Sequence, residues 1–216
     1  MYRDRIEAGA RLSSLLVPYA DPSSIVLAIP RGGVVVASEI CRRFGIPMDL
    51  LISRKIGAPG NPELAVAAVD PDGEIIWEDD RLAYMGIPTA YIQKQAEIER
   101  KEILRRLQRY RGDVPMPELK DKTVIVVDDG IATGLTMKAS LRWIRKRQPK
   151  FTVLAVPVAP PDVAESISKE CDALICPLKP KFFYAVGQFY EVFGQTSDEE
   201  VVALLCANNP DFAEGE

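Results

Sequence analysis

The chain has 216 residues, of which 47% are hydrophobic and 27% are charged, and these values are typical of a globular protein rather than a disordered one. The formal net charge of -4 gives no sign of a protein that coats nucleic acid. Because the sequence contains no histidine, this chain cannot form a Ser-His-Asp relay, a Cys-His relay or a histidine-ligated metal site. Its chemistry must rely on carboxylates, lysine, arginine, hydroxyls, backbone dipoles or a bound cation.

The cysteines and the first residues of the sequence indicate a reducing compartment. No C-x-x-C pair occurs and apolar neighbours surround most of the four cysteines, so we expect buried, reduced thiols at Cys41, Cys171, Cys176 and Cys206. The stretch MYRDRIEAGARLSS is charged and lacks the apolar region of a signal peptide. No apolar run approaches the roughly 18 residues of a membrane span. We therefore predict a cytoplasmic protein without a membrane partner.

The first part of the chain predicts a βαβ unit. An amphipathic helix over residues 3–18 precedes a short apolar strand, IVLAI, at 25–29. The sequence PRGG then turns into a helix at 34–44, and a second strand follows at 48–53. A strand, a glycine turn, a helix and another strand in this order imply a parallel sheet.

The next part mixes weak and strong signals. RKIGAPGNPE, residues 54–63, is rich in glycine and proline and predicts a long exposed loop. LAVAAV and EIIWED flank the turn PDG and predict a hairpin. Residues 88–111 form the clearest predicted helix, with i,i+4 charge pairs on one face. Its apolar face consists of Ile92, Ala96, Ile103, Leu107 and Tyr110.

The remainder of the chain continues the alternation of strands and helices. Strands are predicted at 123–127, 151–158 and 172–176, and helices at 135–148, 162–169 and 198–206. An aromatic-rich stretch, KPKFFYAVGQFYEVFGQ, separates the last strand from the last helix. Residues 1–216 are therefore predicted to form one α/β domain, with an open, mostly parallel, twisted sheet and helices on both faces.

One stretch carries more chemistry than the rest, namely VIVVDDGIATGLT at residues 124–136. In open parallel sheets, ligands bind beyond the carboxyl ends of the strands, and Asp128 and Asp129 follow such an end. The loop after them leads into a helix amino terminus, where unpaired N–H groups and the positive end of the helix dipole attract a phosphate. Thr133 and Thr136 add hydroxyl donors. A sugar phosphate would satisfy both features, with hydroxyls on the carboxylates and its phosphate on the loop.

Other interpretations of this stretch fit less well. The P-loop pattern fails because the spacing is short and the lysine is missing, and the dinucleotide pattern G-x-G-x-x-G does not occur. A receiver domain also places paired aspartates after an apolar strand to hold magnesium, but it does so near its amino terminus and without a Thr/Gly loop. A plain strand-to-helix turn with an aspartate N-cap needs only one of the two carboxylates.

The stretch resembles the phosphoribosyl-pyrophosphate signature of the type I phosphoribosyltransferases, which has a strand, two acidic residues and a loop of the form x-x-[AST]-T-G-x-T. The resemblance implies that Asp128 and Asp129 hold the ribose hydroxyls, act in catalysis and contact magnesium through water. It also implies a 5-phosphate loop, made of Gly130, Ile131, Ala132, Thr133, Gly134, Leu135 and Thr136. Together with RKIGAPGNPE, the stretch is most similar to a branch of predicted phosphoribosyltransferases whose acceptor is unassigned.

Two further stretches are similar to loops of the same family. PRGG resembles the pyrophosphate loop, which implies that Arg31, Gly32 and Gly33 face the leaving group. Arg54 and Lys55 begin a stretch similar to R-K-x-G-K-L-P of adenine phosphoribosyltransferases, at a place where the family has a mobile loop that closes over the reacting centre. Closure would exclude water from an oxocarbenium-like sugar cation. We therefore count Arg54 and Lys55 with the catalytic residues and expect one of them to contact pyrophosphate.

The family covers its acceptor with a small, variable hood lobe. The resemblance implies a core over about residues 20–176 and a hood from 177–195, with 75–111 as a second candidate. Phe182, Phe183 and Tyr184 are the expected acceptor contacts. Ala132 stands where enzymes for 6-oxopurines have an aspartate base, which argues against hypoxanthine or guanine and is closer to the adenine-type loop.

The predicted activity is magnesium-dependent transfer of phosphoribose from 5-phosphoribosyl 1-pyrophosphate to a nitrogen acceptor, a nucleobase or related heterocycle, with release of pyrophosphate. The first alternative is a regulator that senses the same donor without turnover and binds nucleic acid through basic residues of the helix at 88–111. Those residues alternate with glutamates, so a solvated helix face is favoured and nucleic-acid binding is not expected. A magnesium-dependent receiver or phosphatase is a third hypothesis, and a homodimer is left open.

Overall fold

The computed structural model describes residues 1–77 and 79–212. Its helices are α1 (Arg5–Leu15), α2 (Gly32–Phe44), α3 (Asp79–Tyr84), α4 (Thr89–Arg111), α5 (Leu135–Arg145), α6 (Pro161–Ser168) and α7 (Asp198–Asn208). Its strands are β1 (Ile25–Ala28), β2 (Met48–Leu50), β3 (Arg54–Ala58), β4 (Asn61–Val69), β5 (Ile75–Trp77), β6 (Thr123–Val127), β7 (Phe151–Ala155) and β8 (Ala173–Ile175). Most predicted elements are present within a few residues of their predicted bounds, whereas α3 is an element that the sequence patterns do not predict.

Five parallel strands form the central sheet in the order β2-β1-β6-β7-β8. β1 lies between β2 and β6, with Ala28 opposite Leu50 on one side and Val127 on the other. The chain therefore moves outward from β1 to β2 and later returns to the other side of β1, so the strand order reverses between β1 and β6. Such a reversal opens a crevice at the carboxyl ends of the strands, where open α/β sheets bind their ligands. The predicted parallel sheet is confirmed.

Helices cover both faces of this sheet, and β6 shows how. Ile125 and Val127 belong to a core shared with α1, α2 and α7, whereas Val124 and Val126 belong to a core shared with α5 and α6. All five residues of β6 are buried, as expected of an apolar strand inside a parallel sheet. This segment forms a strand because its β-branched apolar side chains pack well in a sheet that is covered on both faces.

The predicted exposed loop at 54–63 is wrong. β3 and β4 pair there as an antiparallel hairpin, and β5 extends the pair to a second, three-stranded sheet. Glycine and proline are usually rare in strands, but here the absence of a side chain at Gly57 lets Pro62 approach it. A Cβ at Gly57 would lie 2.5 Å from the Cα of Pro62, and the ladder shifts register at this glycine. The predicted hairpin around PDG is confirmed as β4 and β5.

The second sheet packs between α4 and α5. Ile92, Ala96, Ile103 and Tyr110 of α4 are buried, and Leu107 is half-buried, so the predicted apolar face is the one that packs. On α5, small side chains allow close packing against β4, in a cluster of Ala65, Ala68, Leu135 and Ala139. The helix predicted at 135–148 ends at Arg145, before Pro149.

Three basic residues of α4, Arg105, Arg106 and Arg109, are paired with acids of the chain itself. Arg105 and Arg106 both donate to Glu102 at 2.7 Å through their Nε atoms, and Arg109 lies 3.2 Å from Asp198. Such pairs are typical of a solvated helix face. They compensate much of the charge on which the nucleic-acid-binding alternative depends.

The structure shows the state of the cysteines and the character of the helices in the described residues. The cysteines are free, with Cys41 and Cys176 buried and Cys171 and Cys206 half-buried. Burial raises the pKa of the Cys41 thiol to about 12, so this thiol is inert at neutral pH. Across the described part of the chain, no helix combines the length and the apolar character needed to cross a membrane.

A buried ion pair joins the end of α4 to the central sheet. The guanidinium of Arg111 bonds the carboxylate of Asp49 in β2, and these side chains are 3% and 2% exposed. Arg111 also donates to the carbonyl groups of Val114 and Pro115, while Asp49 accepts a hydrogen bond from the backbone N–H of Leu50. Burial lowers the pKa of Arg111 to about 10, which still leaves the guanidinium charged at neutral pH.

Removal of one member of this pair should destabilise the fold strongly. We expect Arg111→Met to lower the free energy of unfolding by about 3–5 kcal/mol, because the Asp49 carboxylate is then buried without a cation. Adding Asp49→Leu to Arg111→Met should recover part of the lost stability, since the double variant has no buried charge at this pair. Urea unfolding followed by circular dichroism measures these differences. A loss below about 1 kcal/mol for Arg111→Met would contradict this account.

Candidate functional site

The crevice between β1 and β6 brings the acid pair against the PRGG turn. Asp128 and Asp129 follow β6, and Gly32 and Gly33 form the first turn of α2, shortly after β1. A Cβ at Gly32 would lie 1.9 Å from Oδ2 of Asp129, and a Cβ at Gly33 would lie 2.9 Å from the Cα of Asp128. A side chain at either position would therefore displace the acid pair or its backbone. Two residues for which the family resemblance implies a contact with pyrophosphate thus border the two carboxylates.

Asp128 has a strongly perturbed carboxylate. Its Oδ1 accepts a hydrogen bond from the backbone N–H of Asp129 at 2.8 Å. The residue is half-buried, but its carboxylate lies among protein atoms. Burial raises the pKa of Asp128 well above its ordinary value, repulsion from the Asp129 carboxylate adds to this effect, and the positive charge of Arg5 opposes it. A cation or ligand placed beside Asp128 will therefore change its ionisation.

Asp129 forms an ion pair with Arg5 of the first helix, α1. Nε of Arg5 lies 2.8 Å from Oδ2 of Asp129, and the two side chains are 12% and 16% exposed. The guanidinium also donates through Nη1 to the Gly194 carbonyl at 2.7 Å, and its Cζ lies 3.9 Å from the ring centroid of Phe193. The Tyr190 hydroxyl donates to the backbone carbonyl of Asp129 at 2.6 Å. Asp129 is thus held by α1 and by the segment at 190–194.

The loop after the acid pair is suited to an anion. Ala132 and Thr133 are exposed, and Gly134 is the N-cap residue of α5, with a φ of 80° and, among the described residues, no side-chain cap. A Cβ at Gly130 would lie 2.6 Å from Val186, so this part of the loop is packed tightly on its other side. The first N–H groups of a helix have no partner within the helix. Together with the positive end of the α5 dipole, they form the donor set of an anion site.

The basic residues predicted to contact pyrophosphate are tied to other elements. Nη1 of Arg31 lies 3.8 Å from a carboxylate oxygen of Asp198 at the start of α7, and the Arg31 side chain is 41% exposed. Nε of Arg54 lies 2.7 Å from Glu99 of α4, and Lys55 follows Arg54 in β3. The predicted mobile loop therefore begins as a strand. A pyrophosphate group would have to compete with Asp198 and Glu99 for the two arginines.

The aromatic stretch contacts the acid pair through a residue other than the predicted ones. Phe182 and Tyr184 are 79% and 88% exposed, and Phe183 packs against Phe189 with a centroid distance of 5.2 Å. Tyr190 is the aromatic residue that bonds the acid pair. The exposed rings at 182 and 184 remain accessible to a ligand.

The acid pair is the natural candidate for a magnesium contact. Among the described residues, no group of three or more acidic or cysteine side chains could hold a metal ion. One of the two carboxylates is already paired with Arg5. These donors fit an ion that arrives with an oxygen-rich ligand and its waters rather than an all-protein cage.

A comparison with known families decides the identity of the fold. Residues 18–193 match the family model described as the phosphoribosyl transferase domain. The chain belongs to this family. The match includes the acid pair, its loop and the PRGG turn, and the family resemblance identified in the sequence is confirmed.

Relatives of this phosphoribosyl transferase domain agree with that assignment. Two curated Mycobacterium tuberculosis proteins, each named as a candidate phosphoribosyl transferase, are 38% identical over 217 residues, which is 99% of this chain and 48% of each relative. The chain thus spans about half the length of the curated relatives it matches. The crystal structure of TT1426 from Thermus thermophilus is 39% identical, with a TM-score of 0.81 over 96% of this chain and 99% of that one. The AQ2163 protein of Aquifex aeolicus, at 14% identity, shares the fold with a TM-score of 0.54, covering 85% of this chain and 76% of that one.

Sequence reasoning missed two residues that touch the acid pair, Arg5 and Tyr190. Arg5 is 124 positions away from Asp129, and it belongs to a helix in which charges occur at several positions, so its spacing carries no signal. Tyr190 lies within the aromatic stretch that the sequence does single out. The composition of that stretch does not indicate which ring reaches the carboxylates.

The close approach of Gly32 to Asp129 can be tested directly. We expect Gly32→Ala to leave the fold intact, because the atoms that must move are side-chain ends, but to displace Asp129 from Arg5 and destabilise the domain by about 1–3 kcal/mol. The Nε–H resonance of Arg5 reports the ion pair. Gly194→Ala is the matched control, because its Cβ meets no atom within 4 Å. An unchanged Arg5 resonance in Gly32→Ala would contradict the packing described.

The buried carboxylate of Asp128 predicts a pH-dependent stability. Between about pH 4 and the raised pKa of Asp128, the native state binds more protons than the unfolded state, so stability falls as pH rises. Asp128→Asn removes this effect. We expect its free energy of unfolding to exceed that of the wild type near about pH 7 and to converge with it near about pH 4. The exposed Asp113→Asn is the control for urea unfolding across this range, and a pH-independent difference for Asp128→Asn would refute the assignment.

Proposed function

We propose that this domain transfers phosphoribose from 5-phosphoribosyl 1-pyrophosphate to a nitrogen acceptor, with magnesium, and releases pyrophosphate. The observation that carries the proposal is the acid pair bordered by the amino termini of α2 and α5 at the reversal of strand order. A ligand that fits has neutral hydroxyls in the middle and an anionic group at each end. A ribose with pyrophosphate at C1 and phosphate at C5 has this order of groups.

The chemistry follows from these positions. The bond between C1 and the pyrophosphate oxygen breaks, its electron pair leaves with pyrophosphate, a bond forms between C1 and the acceptor nitrogen, and the proton of that nitrogen is released to solvent. Asp128 and Asp129 hold the 2- and 3-hydroxyls and stabilise the positive charge that develops on the ring. Positioning and electrostatics supply the rate enhancement, which suits a chain without histidine.

The two anionic ends of the donor are assigned to different loops. The 5-phosphate is bound by backbone N–H groups and hydroxyls of residues 130–136. Pyrophosphate is bound at Gly32 and Gly33, with Arg31 and the β3 residues Arg54 and Lys55 as its cationic partners. Arg31 and Arg54 would then exchange their present carboxylate partners for the ligand.

Magnesium is the expected cofactor. Asp128 and Asp129 would hold it through water, and it would supply positive charge that neutralises pyrophosphate. The acid pair supports this assignment because its oxygen donors suit a hard cation that keeps part of its hydration shell.

The acceptor is assigned by class only. Ala132 supplies no carboxylate base, which favours an adenine-type heterocycle over a 6-oxopurine. Phe182, Phe183 and Tyr184 remain the proposed stacking residues of a hood at 177–195, and Tyr190 connects that hood to the acid pair. The charge pairing of α4 gives the nucleic-acid-binding regulator less support than the enzyme, and a cytoplasmic location is part of this proposal.

The donor site is tested by neutralising the acid pair. We expect Asp128→Asn with Asp129→Asn to weaken binding of magnesium and 5-phosphoribosyl 1-pyrophosphate by about 100-fold or more, because two charge-assisted hydrogen bonds are weakened. Calorimetric titration measures the affinity, and a screen of heterocyclic bases for pyrophosphate release measures turnover.

The control is a double variant of equal charge change on the surface, Asp113→Asn with Asp121→Asn, which should bind as the wild type does. Donor binding by the wild type that survives loss of the acid pair would refute the assignment of the site. Binding without pyrophosphate release from any base would favour the regulator.

A further inference from the structure

We propose that Arg5 is a positioning residue of the donor site, which orients the Asp129 carboxylate toward the ribose and offsets one negative charge where a polyanionic sugar phosphate binds. This inference rests on the proposed function, because it concerns the same donor.

The first argument is the geometry around Asp129. Its Oδ2 is bonded by Nε of Arg5 at 2.8 Å, and the α-carbon of Gly32 lies so close that a Cβ there would be 1.9 Å from the same oxygen. One side of the carboxylate is therefore occupied. An ionised carboxylate has about four acceptor positions on its two oxygens, so the bond from Arg5 takes one of them and leaves others for a ribose hydroxyl. The pairing thereby restricts how the carboxylate can turn toward the ribose.

The second argument is that Arg5 is itself held in place. Its guanidinium bonds the Gly194 carbonyl at 2.7 Å and lies 3.9 Å from the Phe193 ring centroid, and its side chain is only 12% exposed. Exposed ion pairs exchange readily and contribute little. A planar guanidinium with a carboxylate, a carbonyl and an aromatic face around it loses that freedom. Because α1 and the segment at 190–194 hold Arg5 in place, Arg5 in turn holds the Asp129 carboxylate in a fixed orientation.

The third argument is electrostatic. Two adjacent carboxylates repel a donor that carries a phosphate and a pyrophosphate, and a cation beside them reduces the repulsion. At the surface of a protein, two unit charges about 4 Å apart change an equilibrium by roughly tenfold or more. The effect falls as salt screens the charge.

The place of Arg5 in the chain separates it from the residues that the family model covers. The family model covers residues 18–193, and α1 ends at Leu15, before that range begins. The cation on the second carboxylate is therefore supplied by a helix outside the matched domain.

The test compares Arg5→Gln, Arg5→Lys and the wild type by calorimetric titration with magnesium and 5-phosphoribosyl 1-pyrophosphate, at low and at high salt. We expect Arg5→Gln to weaken binding by about tenfold or more at low salt, and this deficit should shrink at high salt. Arg5→Lys should recover part of the affinity because it keeps the charge. Arg3→Gln is the matched control, since Arg3 is 66% exposed and pairs with Asp4 rather than with the acid pair.

Two results would overturn the inference. One is equal donor affinity of Arg5→Gln and the wild type at low salt. The other is a deficit that neither salt nor lysine reduces, because such a deficit indicates damage to the fold alone. If the proposed function is wrong, the wild type itself does not bind the donor. If only this inference is wrong, the wild type binds the donor and the ratio of the affinities of Arg5→Gln and the wild type is close to one.

A second comparison keeps the test valid if Arg5→Gln does not fold. The single variant Asp129→Asn is then compared with the double variant Asp129→Asn, Arg5→Gln. The double variant contains neither charge of the pair, so it does not leave an unpaired carboxylate at position 129. The chain that retains Arg5 should bind the donor more tightly at low salt. Equal affinities of these two chains would refute the charge-offsetting role.

Discussion

The close approach of the α2 amino terminus to the carboxylates at the end of β6 is the constraint on which the rest of the site depends. Because β1 and β6 are neighbours and the strand order reverses between them, the first turn of α2 must pass beside the residues that follow β6. Glycine allows this passage without displacing the acid pair, since a Cβ at Gly32 or Gly33 would meet Asp129 or Asp128. The PRGG turn is therefore a packing requirement as well as a source of N–H donors.

This arrangement concentrates opposite charges in a small volume. The carboxylates of Asp128 and Asp129 are adjacent, the amino terminus of α2 lies beside them, and the loop that follows them leads to the amino terminus of α5. The protein compensates in two ways: the Asp128 pKa is raised, so this group retains its proton more readily, and Asp129 is paired with Arg5. An anionic donor with a hydroxyl-bearing centre is complementary to this pattern, and that complementarity is the basis of the proposed phosphoribosyl transfer.

Much of the core and of the central motif could be predicted from the sequence, because local signals and packing agree there. β6 is an unbroken run of apolar residues, two aspartates follow it, and Gly134 begins a helix. The hairpin at 54–63 could not be predicted in this way. Its glycines and prolines normally break strands, and the contact between Gly57 and Pro62 shows how two of them are accommodated here.

The residues of the site also fall into those that the sequence predicts and those that it does not. Asp128, Asp129 and the PRGG turn were predicted because each follows a strand, and topology brings strand ends together. Arg5 and Tyr190 come from the first helix and from the segment after the last strand, and only tertiary packing places them at the acid pair. The sequence does not predict the partners of Arg31 and Arg54 either, because Asp198 and Glu99 lie on α7 and α4.

The most direct test of the central claim is a crystal structure of the domain with 5-phosphoribosyl 1-pyrophosphate and magnesium. The account predicts ribose hydroxyl oxygens within about 3 Å of the carboxylates of Asp128 and Asp129, with the 5-phosphate on the loop at the start of α5. A donor bound elsewhere on the chain, or one whose phosphate ends avoid both helix amino termini, would contradict it.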